Sequence, residues 1–302
     1  MTKEKPLVSI VVTTKNEELN IRYCLLSIKA QSYKNIEIIV VDNKSNDNTK
    51  QIAKKYTNLV FDKGPERSAQ RNYGMLEVAE GDYLMFIDAD MILSPGLIES
   101  CVKYIERKCC AALYIPEIIL GNNYFSKIRR FERSFYNGTV IDGARFFRKD
   151  IFRQVNGFDE TMSGPEDWDI DKKIKLQNKI NVLSDDKNPL NQRNWILNDF
   201  ITKNGVNPDE FDDAIFHNES KMKLKRYLLK KSYYSDSFRT YIDKWGVADH
   251  DIRKQFGFAY RFFFVFLEGG KWMRFLRNPH LVIGLYSLRF LVGLTYLKSK
   301  YK

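Results

Sequence analysis

The sequence has 302 residues, of which 44% are hydrophobic and 29% are charged. This length allows one large domain or two smaller ones, and the composition is that of a globular protein, which excludes a low-complexity or fibrous chain. The four cysteines follow neither zinc-ligand spacing nor a disulfide framework, so we expect reduced thiols in a cytoplasmic protein. Residues 1–6 run into an apolar β-branched segment without the pattern of a signal peptide, so secretion is not expected.

The basic charge is concentrated in the C-terminal part of the chain. Residues 221–302 contain 18 Lys and Arg against 5 Asp and Glu, a net charge of +13, whereas residues 1–220 carry −2. A basic tail indicates nucleic acid or an anionic membrane surface as a partner. Its aromatic and aliphatic residues, as in FGFAYRFFFVFLEGGKWMRFL at 256–276, favour the membrane and argue against nucleic acid.

In the first half of the chain, short apolar runs alternate with helical patterns, which is typical of a parallel α/β sheet that binds a nucleotide. The predicted strands are 8–13, 36–41, 59–61 and 83–87. The predicted helices are 19–30, 49–56 and 68–79. The second and fourth strands are almost entirely apolar, so we expect helices to cover both faces of the sheet.

Beyond residue 95 the pattern changes. A strand is predicted at 143–148, a helix begins in GPEDWDIDKKIKLQ at 164–177, and a short strand follows at 180–183. Residues 185–213 are largely polar around a helix-like WILNDFITK, which predicts an insertion or an acceptor lid in a domain that spans residues 1–220.

The tail, residues 221–302, forms the second predicted region and is helical in pattern. Its last apolar run, 281–297, is short for a membrane span and carries Arg289 near its middle. We therefore expect helices that lie in the membrane interface rather than one that crosses the bilayer.

Three aspartates stand at or just beyond the carboxyl ends of predicted strands. Asp42 follows the second strand, and Asp88 and Asp90 follow the fourth. Ligands of open α/β sheets bind at these ends, so the three side chains should converge on one crevice. The chain has neither a Gly-x-Gly-x-x-Gly motif nor a Gly-Lys-Ser/Thr loop to cradle phosphate. A divalent cation on Asp88 or Asp90, Mg²⁺ or Mn²⁺, is the natural way to neutralise a diphosphate here.

Six motifs occur in a family-specific order: VSIVVTTKNEE, VVDNKSNDNT, RSAQRNYGMLEVAEGDYLMFIDAD, NGFDE, GPEDWD and IFHNE. Over about residues 5–240, the sequence resembles the inverting glycosyltransferases of family 2. The resemblance implies a GT-A fold, in which a mixed nucleotide-binding sheet is flanked by helices; here a basic, aromatic helical tail follows it.

The resemblance also implies roles for individual residues. Asp167 in GPEDWD matches the catalytic base, and Glu166 and Trp168 beside it are predicted to contact the acceptor. Asp90 and His217 are the predicted metal ligands. The predicted donor-binding residues are Thr13, Asn16 and Glu17, then Asp42 at the base, Arg71 at the diphosphate and Asp88 at the ribose.

Structural readings of the same residues remain open. The acids at 166, 167 and 169 would also suit the N-terminus of a helix. Asp88 and Asp90 could merely end a strand, His217 could be a structural histidine, and Arg71 could be a surface charge.

The predicted function is metal-dependent transfer of one sugar to a hydroxyl of a lipid-linked or membrane-proximal acceptor at the cytoplasmic face of the membrane, with a UDP-linked sugar as the expected donor. The Gln-x-x-Arg-Trp signature of processive synthases is absent, and QRNW at 192–195 does not satisfy it, which favours a single addition. The alternatives are a polyprenyl-phosphate sugar synthase, whose acceptor needs no base, and a membrane-associated protein that binds nucleotide sugars without turnover. A third alternative is nucleic-acid binding through the tail, which would be sensitive to salt.

Overall fold

The fold is built around a seven-stranded mixed sheet, and the computed structural model describes residues 4–184 and 195–300. The strands of this sheet are β1 Val8–Thr14, β2 Ile36–Asp42, β3 Val60–Asp62, β4 Tyr83–Asp88, β6 Ala112–Tyr114, β8 Phe146–Arg148 and β9 Ile180–Val182. Their spatial order is β3-β2-β1-β4-β8-β6-β9, and β8 is antiparallel to both of its neighbours. A smaller sheet is formed by β5 Met91–Leu93, β7 Glu117–Leu120 and β10 Ile215–Asn218, in the order β5-β10-β7.

The apolar strands of the large sheet are covered on both faces, as predicted. All seven residues of β1 are buried. Val8, Ile10 and Val12 belong to the hydrophobic core on one side of the sheet, and Val11 belongs to the core on the other side. Successive side chains of a strand point to opposite faces, so a strand between two cores needs apolar residues at almost every position.

Thirteen α-helices lie within the described ranges. They are α1 Ile21–Lys29, α2 Thr49–Ala53, α3 Arg67–Asn72, α4 Leu97–Lys108, α5 Tyr124–Arg133, α6 Lys149–Gln154, α7 Glu166–Lys175, α8 Asn198–Lys203, α9 Leu224–Trp245, α10 His250–Phe256, α11 Phe258–Phe262, α12 Met273–Arg277 and α13 Pro279–Lys300. A π-helical turn, Tyr73–Val78, continues α3, so the helix predicted at 68–79 is present but changes its hydrogen-bonding pattern halfway. Three 3₁₀ turns are Pro208–Glu210, Phe264–Phe266 and Glu268–Gly270.

The predicted insertion is only partly visible. Residues 185–194, with most of QRNW at 192–195, lie outside the described residues. The remainder contains α8, whose Ile201 packs in a core with Ile92 and Phe216. The role of the segment as a lid stays a prediction.

The C-terminal helices share a hydrophobic core with α5, in which Phe131 and Phe135 contact Phe266 and Leu285 from the tail. Arg289 of α13 is buried, and its Nη2 donates to Tyr136 Oη at 2.5 Å and lies 3.5 Å from Glu132 Oε1. The charge in the middle of the last apolar run thus pairs with α5. In the described part of the chain, no helix is both long enough and apolar enough to cross a bilayer.

The prediction of a mixed α/β sheet flanked by helices, with a helical C-terminal tail, is confirmed. The division at residue 220 stays a prediction.

Candidate active site

Strand register brings the predicted acidic residues to one edge of the large sheet. In the parallel pairs around β1, Thr13 lies opposite Asp88 of β4, and Thr14 lies opposite Asp42 of β2. Thr13 Oγ1 donates to Asp88 Oδ1 at 2.9 Å. The register thus places Asp42 and Asp88 at the same end of the sheet on either side of β1, and the convergence of all three aspartates on one crevice stays a prediction.

The loop after β1 and the end of β2 are joined by hydrogen bonds. Asn16 takes a positive φ of 54°, its N–H donates to Ser45 Oγ at 2.7 Å, and its Oδ1 accepts from Asn46 N at 2.9 Å. Asp42 is fully buried and accepts from the backbone N–H and the hydroxyl of Ser45, at 2.6 and 2.5 Å. Glu17, next in the loop, accepts from Asn20 Nδ2 at 2.7 Å. This network sets the shape of the surface that is predicted to hold the nucleoside.

Arg71 is the centre of the site. Its side chain is 1% exposed, and Nη1 donates to Asp167 Oδ1 at 2.9 Å while Nη2 lies 3.5 Å from Asp88 Oδ1. Its guanidinium stacks on the Phe86 ring, with 4.0 Å between the guanidinium carbon and the ring centroid. This side chain is enclosed and its charge is shared among Asp88, Glu166 and Asp167, while its place at the diphosphate stays a prediction.

The charge on Asp88 is stabilised by its surroundings. Burial alone would raise the pKa of this carboxyl group, but the nearby guanidinium groups, led by Arg71 and followed by Arg67 and Arg145, lower it below its ordinary value. Asp88 is therefore ionised at neutral pH.

Asp167 is the predicted base, and it is one of the residues around Arg71. It lies in the first turn of α7. One quarter of its side chain is exposed, so it remains accessible to a substrate. The backbone at Gly143 packs directly against it, since a Cβ placed there would lie 2.9 Å from Asp167 Cβ. Glycine at 143 thus allows the loop before β8 to approach the Asp167 side chain.

Of the two neighbours of Asp167, Glu166 is placed differently from the prediction, and the contact of Trp168 with an acceptor stays a prediction. Glu166 is 1% exposed and lies 3.2 Å from Arg67 and 3.5 Å from Arg71, so it anchors arginines behind Asp167 and has no free surface for an acceptor. Trp168 packs against Tyr241 and the other residues of a small core, and its Nε1 donates to the Ile141 carbonyl at 3.1 Å. Both side chains thus contact other residues of the protein around α7, and the linear pattern does not reveal these contacts.

The predicted metal ligands are neighbours in the small sheet. His217 of β10 places Nε2 3.2 Å from Asp90 Oδ2, and its Nδ1 lies 2.8 Å from Glu117 Oε1. The two carboxylates raise the pKa of His217 well above its ordinary value even though burial opposes the charge. Glu117 was not predicted; it lies 100 residues away at the start of β7, and only the pairing of β7 with β10 brings it to His217.

The donor set fits a hard divalent cation that is shared with a substrate. Asp90 Oδ1 is buried and has no hydrogen-bond partner among the described residues, so an oxygen ligand is available. Glu117 on the far nitrogen of His217 is the arrangement that orients a metal-binding imidazole. In residues 4–184 and 195–300, no cluster of three or more His, Cys, Asp or Glu side chains forms a complete cage. Mg²⁺ and Mn²⁺ need none when substrate phosphates and water supply the other ligands.

Arg145 is a second residue that the sequence reading missed. Its Nη2 lies 3.5 Å from Glu117 Oε2, and its guanidinium carbon lies 4.9 Å from the centroid of Phe86, the ring that also supports Arg71. Its Nη1 is buried without a hydrogen-bond partner in the part of the chain that the structure describes. Arg145 thus contacts both the metal-side Glu117 and the aromatic ring that supports Arg71.

Comparison of the coordinates with solved structures shows the fold. The mannosyltransferase PcManGT from Pyrobaculum calidifontis, in complex with GDP-Man and Mn²⁺, superimposes with a TM-score of 0.58 at 14% identity, over 98% of this chain and 86% of that one. S. aureus TarS 1–349 in complex with UDP-GlcNAc gives a TM-score of 0.54 at 16% identity, over 98% of this chain and 90% of that one. The protein has a glycosyltransferase fold of the GT-A type.

Sequence comparison identifies the family. The family model for glycosyl transferase family 2 matches residues 9–158. Relatives include glycosyltransferase GlyA of Streptococcus pneumoniae, 32% identical over 39% of this chain and 17% of the relative, and glycosyltransferase AglE of Haloferax volcanii, 36% identical over 30% and 32%. The alignments thus span a third or less of these relatives. Residues 9–158 thus contain a glycosyl transferase family 2 domain, as the ordered motifs predict.

Proposed function

We propose that the protein is a metal-dependent, inverting glycosyltransferase that adds one sugar from a nucleoside-diphosphate donor to a hydroxyl group of a lipid-linked or membrane-proximal acceptor. The observation that carries this proposal is the shared contact of Asp88 and Asp167 with Arg71, at 3.5 and 2.9 Å. A donor-side carboxylate and an accessible carboxylate are thereby held on opposite sides of one guanidinium. We call the space bounded by Asp88, Asp90 and Asp167 the active-site cleft.

The geometry suits direct displacement. Asp167 would accept the proton of the acceptor hydroxyl while that oxygen attacks the anomeric carbon, and the bond from that carbon to the diphosphate would break on the opposite face. Arg71 holds Oδ1 of Asp167, which fixes the direction of the carboxylate before the acceptor arrives. One base is sufficient because a single displacement forms no covalent intermediate.

Asp90 and His217 are the residues that would hold the divalent cation. When bound, Mn²⁺ or Mg²⁺ neutralises the charge that develops on the leaving diphosphate. The Mn²⁺ in the GDP-Man complex of PcManGT supports a divalent cation, and the two neighbours bind different nucleotides, a UDP sugar and a GDP sugar. UDP-linked sugars therefore remain the first donors to test, with GDP-linked sugars second.

The tail supports an acceptor at the membrane. Large apolar side chains of the C-terminal region are exposed in the described residues, next to many Lys and Arg. We call them the C-terminal apolar surface: Phe258, Phe263, Phe264, Leu267, Trp272, Met273 and Leu276. Exposed aromatic and basic residues together suit the headgroup region of an anionic bilayer.

The runner-up is a polyprenyl-phosphate sugar synthase, whose acceptor phosphate attacks without a base. The accessible Asp167 favours the hydroxyl acceptor, because such a synthase has no need of this carboxylate.

The experiment is a donor screen with purified protein. UDP- and GDP-linked sugars are incubated with Mn²⁺ and with candidate lipid-linked acceptors, and nucleoside diphosphate release is measured for wild type, Asp90→Asn and the exposed control Asp150→Asn. We expect release by wild type and the control, and a loss of roughly 100-fold or more in Asp90→Asn. Nucleotide-sugar binding without release would favour the non-catalytic alternative, and equal release by Asp90→Asn would refute the metal role of this residue.

A further inference from the structure

One of the two 22-residue helices of the tail, α9, packs along the active-site cleft. Near its start, the Tyr227 ring lies 4.6 Å from the guanidinium carbon of Arg129, and Arg129 pairs at 3.3 Å with Glu219, two residues after His217. Two turns later Tyr234 packs on Gly164, where a Cβ would lie 2.6 Å from Tyr234 Cβ. Because a helix rises 1.5 Å per residue, these seven residues span about 10 Å, from the metal side of the cleft to the loop before Asp167.

One stripe of α9 is fixed against loops of the catalytic domain. Tyr233 Oη donates to Glu66 Oε1 at 2.5 Å, and Ser237 Oγ accepts from Ser163 N at 3.0 Å. Residues three and four apart share a helix face, so Lys230 and Arg226 continue this stripe towards the metal side. Along α9, Lys230 also lies between Tyr227 and Tyr234, near the middle of this span.

Lys230 is connected to the cleft through the Tyr234 ring. Its Nζ lies 5.9 Å from the centroid of that ring, and the guanidinium carbon of Arg67 lies 5.0 Å from the same centroid. Arg67 in turn pairs with Glu166, the residue before the proposed base. Arg226 lies one turn before Lys230 on the same stripe of α9.

The cleft needs uncommitted cations if it is to hold a diphosphate. Its carboxylates repel an anion, while Arg71 and Arg67 are already paired with carboxylates. Lys230 and Arg226 are exposed, and neither makes an ion pair with another described residue. Extended ammonium and guanidinium groups are the usual ligands of phosphate oxygens.

We infer that Lys230, assisted by Arg226, binds the diphosphate of the donor from α9, so that this helix completes the site opposite the metal-binding edge. This inference rests on the proposed function and extends it, because it assigns part of the donor site to the basic tail. In this proposal, basic residues of the tail bind the donor in addition to contacting the membrane.

The test compares nucleotide affinities of Lys230→Gln and Arg226→Gln with those of Arg239→Gln. Arg239 is on the opposite side of α9 from Lys230 and is 90% exposed, so its variant removes the same charge without approaching the cleft. Each protein is titrated calorimetrically with UDP and with GDP in the presence of Mn²⁺. The monophosphate of the same base, UMP or GMP, is then titrated for whichever diphosphate the wild type binds. Thermal unfolding of each variant checks that the fold is retained.

We expect Lys230→Gln to weaken diphosphate binding by about 10- to 100-fold, and Arg226→Gln to weaken it by a smaller factor, with a much smaller effect of Lys230→Gln on the monophosphate. If Lys230→Gln binds UDP or GDP as tightly as Arg239→Gln does, or loses monophosphate and diphosphate affinity equally, the inference is wrong. If wild type binds neither diphosphate, both the proposed function and this inference are wrong. The wild-type titration thus separates the two failures.

Discussion

Arg71 donates from Nη1 to Asp167 Oδ1 at 2.9 Å although the two residues are 96 positions apart in the chain. Arg71 is fully buried, whereas a quarter of the Asp167 side chain is exposed. This contact joins the helix after β3 to the helix that carries the candidate base. Besides its predicted place at the diphosphate, this arginine thus holds the carboxylate that is proposed as the base.

Replacement of Arg71 by lysine tests that positional role. Lysine keeps the charge but lacks the planar fork that contacts Asp167 and Asp88 together. We expect the rate of transfer to fall by roughly 100-fold, because a small displacement of a catalytic group has effects of that size. The assay is nucleoside diphosphate release, with the exposed Arg148→Lys as the matched control. Wild-type turnover in Arg71→Lys would show that the fork is unnecessary.

Gly143→Ala should move the candidate base without changing its chemistry. The new Cβ would lie 2.9 Å from Asp167 Cβ, which is too close for either backbone to remain in place. We expect kcat to fall by about 100-fold while the affinity for nucleoside diphosphate stays within about threefold of wild type. Gly293→Ala is the control, since nothing lies within 4 Å of a Cβ at that position. A parallel loss of donor affinity would mean that Gly143 supports the donor site instead.

Parts of this site follow from local pattern, and parts do not. Asp42 and Asp88 were predicted at strand ends because an apolar run in each strand continues up to the aspartate. The burial of Arg71 and the contact of Glu117 with His217 depend on residues about 100 positions away. Side-chain partners across a sheet depend on strand order and register, which a single sequence does not reveal.

The fold shows the same division. The first four strands were predicted to within a residue or two, because two-sided burial leaves a clear apolar signature. The buried position of Arg289 in α13 was not predicted, since its partners Glu132 and Tyr136 belong to α5 and its loop. From the sequence alone, a charge within an apolar run argues against a membrane-spanning helix. It does not show that the charge is buried and paired within the protein.

Asp171 should make stability depend on pH. Burial raises its pKa to about 8 from an ordinary value of 3.8, so the folded state binds a proton that the unfolded state releases. The free energy of unfolding should therefore decrease as pH rises from about 4 to 8. Because asparagine cannot ionise, the decrease in the free energy of unfolding should be smaller in Asp171→Asn than in wild type, by on the order of 1–3 kcal/mol. Urea unfolding at pH 5 and pH 8 measures it, and an unchanged decrease in the variant would disprove the assignment.

The C-terminal apolar surface should bind anionic vesicles. Phe264 and Leu276 are 56% and 73% exposed, and a glutamate at either position would be repelled by anionic lipid and would lose apolar burial. We expect each substitution to weaken sedimentation with phosphatidylglycerol vesicles by roughly tenfold. Val247→Glu is the control, because Val247 is 74% exposed but lies outside that surface. Vesicle binding that persists in the Phe264→Glu and Leu276→Glu proteins would contradict a membrane role for this surface. Salt-sensitive DNA binding that displaces the vesicles would contradict it as well.

The central claim is that Asp167 is the base of a transfer to a hydroxyl group, and Asp167→Asn tests it most directly. The variant keeps the size of the side chain and can still accept a hydrogen bond from Arg71, but it cannot take a proton. With the donor and acceptor that wild type uses, we predict that sugar transfer by Asp167→Asn falls by at least about 100-fold while Mn²⁺-dependent nucleoside diphosphate binding is retained. Transfer at a substantial fraction of the wild-type rate would contradict the account and favour a phosphate acceptor that needs no base.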